Sequence, residues 1–326
     1  MISVIVPAFN VEQTIKRTLD SILAQTYQNI EIIVVNDGSK DETGAIIDSY
    51  AAQNREIIAI HTQNQGVTAA RLTGVKQASG EWIGFVDGDD EIEPDMYEML
   101  LNNAVQYEAD ISHCGYQMMF SDGRTSYFHN TGSLVIQDNL TGLKDLLDGS
   151  LVEPGLWNKL FHKKLFYDLL HTEVLDKKIK INEDLLMNYI LFSKSKLSIF
   201  QDICKYHYLV RSNSASRSSL NEHKIFDPIR VKRYILNMNI DGMLQSAKKA
   251  YMSTCINVYN SLVLNKSTHL KKNKKEVWNL IYEHRKWIIF LSKKQKILAS
   301  FIIACPIGYK PIYRFYAKYL MQSHYE

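Results

Sequence analysis

Only four cysteines occur in 326 residues, Cys114, Cys204, Cys255 and Cys305, and no two stand as Cys-x-x-Cys. That scatter speaks against a zinc site or a disulfide framework and for a reducing compartment. No apolar run is long enough to cross a bilayer. The best, residues 297–305, falls well short of the roughly 20 residues a spanning helix needs. The first residues, Met1-Ile2-Ser3-Val4-Ile5-Val6-Pro7, carry no basic segment and no cleavage signal, so they read as a strand and not a signal peptide. No Gly-x-Gly-x-x-Gly follows that strand, and no Gly-rich loop ends in Gly-Lys-Ser/Thr. Both absences weigh against dinucleotide oxidoreductases and P-loop enzymes. There is no internal repeat, and no low-complexity segment beyond a polar, basic stretch at 266–275 that reads as a linker.

What is present is a globular composition, 46% hydrophobic and 22% charged. The net charge of +3 conceals an asymmetry. From Lys266 onward there are 13 Lys and Arg against three acids, Glu276, Glu283 and Glu326, so this segment is near +10 and the remainder near −7. Such a split suggests a separate surface role for the C-terminal part.

Apolar runs at 3–7, 30–35, 57–60 and 82–86 read as buried strands. Helical periodicity separates them at 11–24, after Asp41 through Tyr50, and at 67–77. Strands alternating with single helices imply right-handed crossovers and a largely parallel sheet. A helix at 94–107 and a strand at 110–119 follow, and the alternation then stops. Residues 121–131 read as a hairpin or loop, 139–151 and 182–192 as helices, 197–200 and 206–210 as strands. Residues 226–264 form one or two amphipathic helices, and the rest is helical, basic and aromatic.

The strand at 82–86 ends in Asp87-Gly88-Asp89-Asp90, three carboxylates in four residues. Unpaired charges there repel and are costly to desolvate. A divalent cation resolves the repulsion, and hard oxygen ligands suit magnesium or manganese. The other reading is an acidic turn that leads into the helix after Pro94. The carboxyl end of a strand in an open α/β sheet is also where such folds place ligands. The first two strands end in Pro7-Ala8-Phe9-Asn10 and Asn36-Asp37-Gly38-Ser39, which adjacent parallel strands would present at one rim. Asp37 could accept from a base N–H or a ribose hydroxyl, or could serve only its own Asx-turn.

Four stretches together resemble the family 2 glycosyltransferases: Val4 to Asn10, Val34 to Asp41, Asn64 to Arg71 and Gly80 to Asp90. The resemblance covers the first third of the chain, with weaker matches to about Ser216. It implies a GT-A-like (Rossmann-like) α/β fold, a mostly parallel sheet flanked by helices, with a helical C-terminal region. Residues 1–220 would form the catalytic domain, 1–118 binding the nucleotide-sugar and 119–220 the acceptor. Residues 221–326 would be helical and basic. By the same resemblance Pro7, Ala8, Asn10, Asp37, Asn64, Arg71, Asp87 and Gly88 would line the donor site. Asp89 would hold Mn2+ or Mg2+, with Asp90 and His207 as alternative ligands. Asn182-Glu183-Asp184 matches the family's Glu-Asp pair at a helix start: Asp184 would take the acceptor hydroxyl's proton, supported by Glu183. The residues alone allow a blander role, complementing the helix N-terminus.

Trp157-Asn158-Lys159 resembles a segment of polysaccharide-forming members, where Trp157 would stack on an acceptor sugar and Lys159 meet phosphate; a buried core Trp is the alternative. Tyr206 to Ser214 resembles the late segment in which Arg211 and Ser214 would close over the diphosphate. The implied activity is inverting, metal-dependent transfer from a UDP-sugar to a glycan or lipid-linked acceptor in bacterial surface-polysaccharide assembly. A catalytically silent partner subunit and a nucleotidyltransferase on a similar sheet are the alternatives. The basic aromatic C-terminal part suits an anionic membrane surface, packing on the catalytic half or a homodimer contact, and no nucleic-acid motif accompanies it. The expected location is cytoplasmic, peripheral on the inner face of the membrane.

Overall fold

Continuous apolar runs supply the central strands of the sheet. The computed structural model describes residues 1–128, 130–171, 178–210, 219–265 and 267–320. In chain order they form β1 (Ile2–Ala8), α1 (Ile15–Leu23), β2 (Ile30–Asn36), α2 (Thr43–Gln53), β3 (Ile57–His61), α3 (Val67–Gln77), β4 (Trp82–Phe85) and β5 (Glu91–Ile92). Then come α4 (Met96–Gln106), β6 (Ile111–Phe120), β7 (Thr125–Phe128), β8 (Leu134–Asp138), α5 (Asn139–Asp148), β9 (Lys159–His162), α6 (Tyr167–His171), α7 (Glu183–Lys194) and β10 (Leu197–Val210). The C-terminal helices are α8 (Glu222–Asn237), α9 (Leu244–Leu264), α10 (Lys271–Glu283), α11 (Lys293–Ala304) and α12 (Pro306–Leu320).

One sheet runs β3-β2-β1-β4-β9-β6-β10-β5, with β7 added on β6 and β8 on β10. Strands β1 to β4 pair in parallel, as buried apolar runs linked by single helices require. Beyond β4 the sheet is mixed: β9 lies antiparallel between β4 and β6, and β10 runs parallel to β6 but antiparallel to β5 and β8. Short strands inserted this way leave a weaker sequence signal. Of the hairpin or loop expected at 121–131 the structure has the hairpin, β7 pairing antiparallel with β6, while β8 was not foreseen. The two strands expected at 197–200 and 206–210 are one long β10, with irregular register against β6 between Gln201 and Tyr206.

By its contacts the chain divides into two compact units, Met1–Ser218 and Ser219–Glu326. The first has its core between the sheet and its helices, with Val4, Val6, Ile32, Val34, Tyr97 and Leu100 buried. The second has its own core, including Met252, Ile256, Val263, Val277, Ile281 and Ile302. The basic stretch expected as a linker is in part helix: α10 begins at Lys271. Lysine is a good helix former, and Val277 and Ile281, four residues apart, bury the same face. Among the described residues no helix is long and apolar enough to cross a membrane.

Candidate active site

Three turns meet at the carboxyl rim of β1, β2 and β4. Asn10, in a left-handed conformation (φ 53°), accepts from Lys40 N at 2.9 Å, and its own N–H donates to Ser39 Oγ at 3.0 Å. The turn after β1 is thereby tied to the turn after β2. Asp37 is buried; its carboxylate accepts from Gln65 N at 2.9 Å and Gly66 N at 2.8 Å, drawing the loop before α3 to the same rim. Gly38 has φ 73°, and a Cβ there would stand 2.8 Å from Asn64 N, so this turn admits little else. Gly88 packs close below: a Cβ would lie 3.1 Å from the Pro7 carbonyl oxygen. Pro7 and Ala8 are buried, while Asn10 and Asn64 are exposed. Asp37 is thus already engaged by its own chain, with little surface left for a ligand.

Arg71 is the residue that joins distant motifs. It projects from α3, is 5% exposed, and places Nη2 2.9 Å from Asp87 Oδ1 at the end of β4. Its Nη1 stands 3.8 Å from Glu183 Oε1 at the start of α7. Burial opposes the guanidinium charge, and Asp87, Glu183 and Asp184 together more than restore it, so its pKa is raised. The carboxylates respond to the same crowding. Burial, then Asp184, pushes Glu183 up to about 7, with Arg71 opposing. Burial likewise raises Asp184, which Arg71 draws back down. The Glu183–Asp184 pair can thus hold a proton near neutral pH, which is what an acid–base catalyst requires. Asn182, left-handed at φ 63°, turns the chain into α7 and sets both acids in the first helical turn.

The remaining carboxylates of the Asp87 to Asp90 turn divide. Asp90 is 1% exposed; it accepts from Tyr206 Oη at 2.8 Å and Leu209 N at 2.9 Å, and burial pushes its pKa up to about 8. Its oxygens point into the fold, so the expectation of Asp90 as an alternative metal ligand is corrected: it anchors β10 to the turn. His207 is corrected likewise. Neighbouring strand residues face opposite sides of a sheet; Tyr206 reaches Asp90, while His207 Nε2 lies 2.7 Å from Glu93 Oε1. Asp89 is half-buried beside Asp87. Among the described residues no three His, Cys, Asp or Glu side chains are grouped to cage a metal. One or two carboxylates completed by water and a substrate's phosphates is a usual arrangement for magnesium, and Asp89 with Asp87 fits that donor set.

Both expected acceptor residues are buried, Trp157 as its alternative core reading had it. Trp157 is 8% exposed and stacks on Tyr206 with ring centroids 4.4 Å apart. Lys159 is fully buried, its Nζ donating to Glu153 O, Gly155 O and Asn158 Oδ1 at 2.6–2.7 Å. Burial lowers it to about 7, with Glu153 and Asp184 opposing. Three acceptors close at hand fix this ammonium inside the fold, which corrects the expectation that it meets an acceptor phosphate. Glu153, raised by burial and hydrogen-bonded to Tyr116, was not foreseen; the Asp184 charge adds to its rise. Tyr206 was also missed as a site residue: its hydroxyl accepts from Asp87 N at 3.3 Å while donating to Asp90. Only a fold that sets β10 beside β6 and against β5 reveals either. Arg211 and Ser214 lie outside the described residues.

The carboxyl-rim turns, the Asp-rich end of β4 and the acidic start of α7 belong to a GT-A-like α/β fold. The glycosyl transferase family 2 model matches residues 3–170, and the chain belongs to that family. It is 36% identical over 223 residues to the glycosyltransferase GlyA of Streptococcus pneumoniae serotype 4, covering 66% of this chain and 31% of GlyA. It is 32% identical over 218 residues to the minor teichoic acid biosynthesis protein GgaB of Bacillus subtilis, covering 66% of this chain and 23% of GgaB. The match thus spans under a third of either relative. The crystal structure of S. aureus TarS 1-349 in complex with UDP-GlcNAc superposes with a TM-score of 0.76 at 19% identity, over 97% of this chain and 91% of that one. At that identity the likeness concerns the fold.

Proposed function

We propose that the protein transfers a sugar, with inversion, from a UDP-sugar to a hydroxyl of a glycan or lipid-linked acceptor in bacterial surface-polysaccharide assembly. The observation that carries this reading is the Arg71 bridge, which brings Asp87 and the Glu183–Asp184 pair to one place. A UDP-GlcNAc complex of a protein sharing the fold, and a relative named for teichoic acid biosynthesis, support the donor class and the pathway. Asp184 takes the proton of the attacking hydroxyl, and Glu183 keeps it oriented toward Arg71. Asp37 and Asn10 order the turns against which the nucleotide lies. Asp87 holds Arg71, and Asp89 is the residue assigned to Mn2+ or Mg2+. A divalent ion bound there would neutralise charge on the departing diphosphate. The basic C-terminal unit is assigned to an anionic membrane surface at the cytoplasmic face or to a second copy of the chain.

Calorimetry of UDP binding with manganese and with chelator tests this directly. The Asp89→Ala variant should lose the manganese-dependent part of UDP affinity, about tenfold or more, and keep its melting temperature. Equal affinity in wild type and variant, with and without manganese, would remove Asp89 from the metal site.

A further inference from the structure

The C-terminal unit contains a surface pocket of about 410 Å³ that the reading above does not use. Lys271, Lys274 and Lys275 line it from α10, and Lys310 from α12, with Trp278 and Tyr259 beside them. The three α10 lysines and Trp278 follow the spacing i, i+3, i+4, i+7, so one face of the helix presents them together. Among the described residues no carboxylate lines the pocket, and none of the four ammoniums pairs with one. The lysines also sit in the first turns of α10, whose N-terminus has no acidic residue and no side-chain cap. Cations there oppose the helix dipole. Two unfavourable features thus coincide: clustered like charges and the wrong end of a helix. A bound anion would relieve both. Lys274 feels the crowding: burial, then Lys310, Arg314 and Lys271, lower its pKa.

The Trp278 ring adds an apolar wall. Its Nε1 donates to Ile302 O at 3.0 Å, and Tyr282 stacks on it at 5.3 Å, so the indole is held in place. We infer that this pocket binds the phosphate group of an anionic ligand whose adjoining ring or chain lies against Trp278. The chemistry is that of a phosphate ester or pyrophosphate, carried by a membrane lipid headgroup or by a phosphorylated glycan. The inference is independent of the sugar-transfer reading, because its readout is local to the pocket.

The test is titration of the full chain with inorganic pyrophosphate, followed by tryptophan fluorescence, and sedimentation with phosphatidylglycerol or phosphatidylcholine vesicles. Wild type should give a saturable fluorescence change that is absent in Trp278→Phe and weakens about tenfold in Lys274→Glu/Lys310→Glu. The milder Lys274→Gln/Lys310→Gln pair, with its helicity checked by circular dichroism, should move the same way. Loss of phosphatidylglycerol binding in these variants assigns the phosphate to a lipid headgroup. Loss of the pyrophosphate response alone assigns it to a free or glycan phosphate. A wild type that binds neither pyrophosphate nor phosphatidylglycerol vesicles, or responses that survive both pairs of substitutions, overturn the inference.

Discussion

Replacing Asp184 by Asn is expected to lower sugar transfer by about 10²–10⁴-fold while leaving UDP-sugar affinity nearly unchanged. The side chain keeps its size and its ability to accept from Leu185 N, which the carboxylate now does at 2.7 Å. What it loses is the capacity to take a proton. Glu183 should not compensate. Removing the like charge beside it lets Glu183 ionise more readily, and Arg71 holds that carboxylate. The wild-type rate should fall on the acid side with the protonation of the Glu183–Asp184 pair as a unit, since the two groups interact. Steady-state turnover and donor calorimetry on the same preparation separate the effects. Undiminished turnover in Asp184→Asn would take the role of base away from this residue.

The second large effect is structural. Arg71→Met should destabilise the first unit by about 3–5 kcal/mol, because it leaves Asp87, Glu183 and Asp184 crowded without the counter-charge they share. For a unit of this size that is a fall of about 10 °C in melting temperature. The sign of its pH dependence follows from the direction of the carboxylate shifts. Burial raises Glu183 and Asp184 in the folded state, so between their unfolded and folded pKa values the fold binds more protons, and stability falls as pH rises. Without Arg71 both carboxylates rise further. The deficit should therefore be larger at about pH 8 than at about pH 5. Arg71→Lys, which keeps the charge but loses the fork, should fall between. A deficit independent of pH, or an Arg71→Met variant as stable as wild type, would mean the three acids are not electrostatically coupled through this residue.

These effects also mark where the sequence stops being readable. The parallel strands β1 to β4 are visible as unbroken apolar runs, since strands buried on both faces need nothing else. Their turns are visible because Asp37-Gly38 and Asp87-Gly88 combine carboxylates with glycine at strand ends. The Arg71–Glu183 approach joins residues more than a hundred positions apart, and no local periodicity encodes it. The same holds for Asp90 and Tyr206, 116 positions apart. Lys159 misleads for a related reason: a lysine beside an aromatic reads as a ligand, yet its three oxygen partners come from the turn just before it. In the C-terminal unit the lysine stripe at 271, 274 and 275 has helical spacing, but its polarity hid the short apolar face at Val277 and Ile281.

The most direct measurement is release of nucleoside diphosphate from a panel of nucleotide-sugars, with manganese and with chelator. Metal-dependent release of UDP from a UDP-sugar is the expected result, and it would identify the donor at the same time. Binding of no nucleotide-sugar, or release of pyrophosphate instead of a nucleoside diphosphate, would contradict sugar transfer as the function of this site.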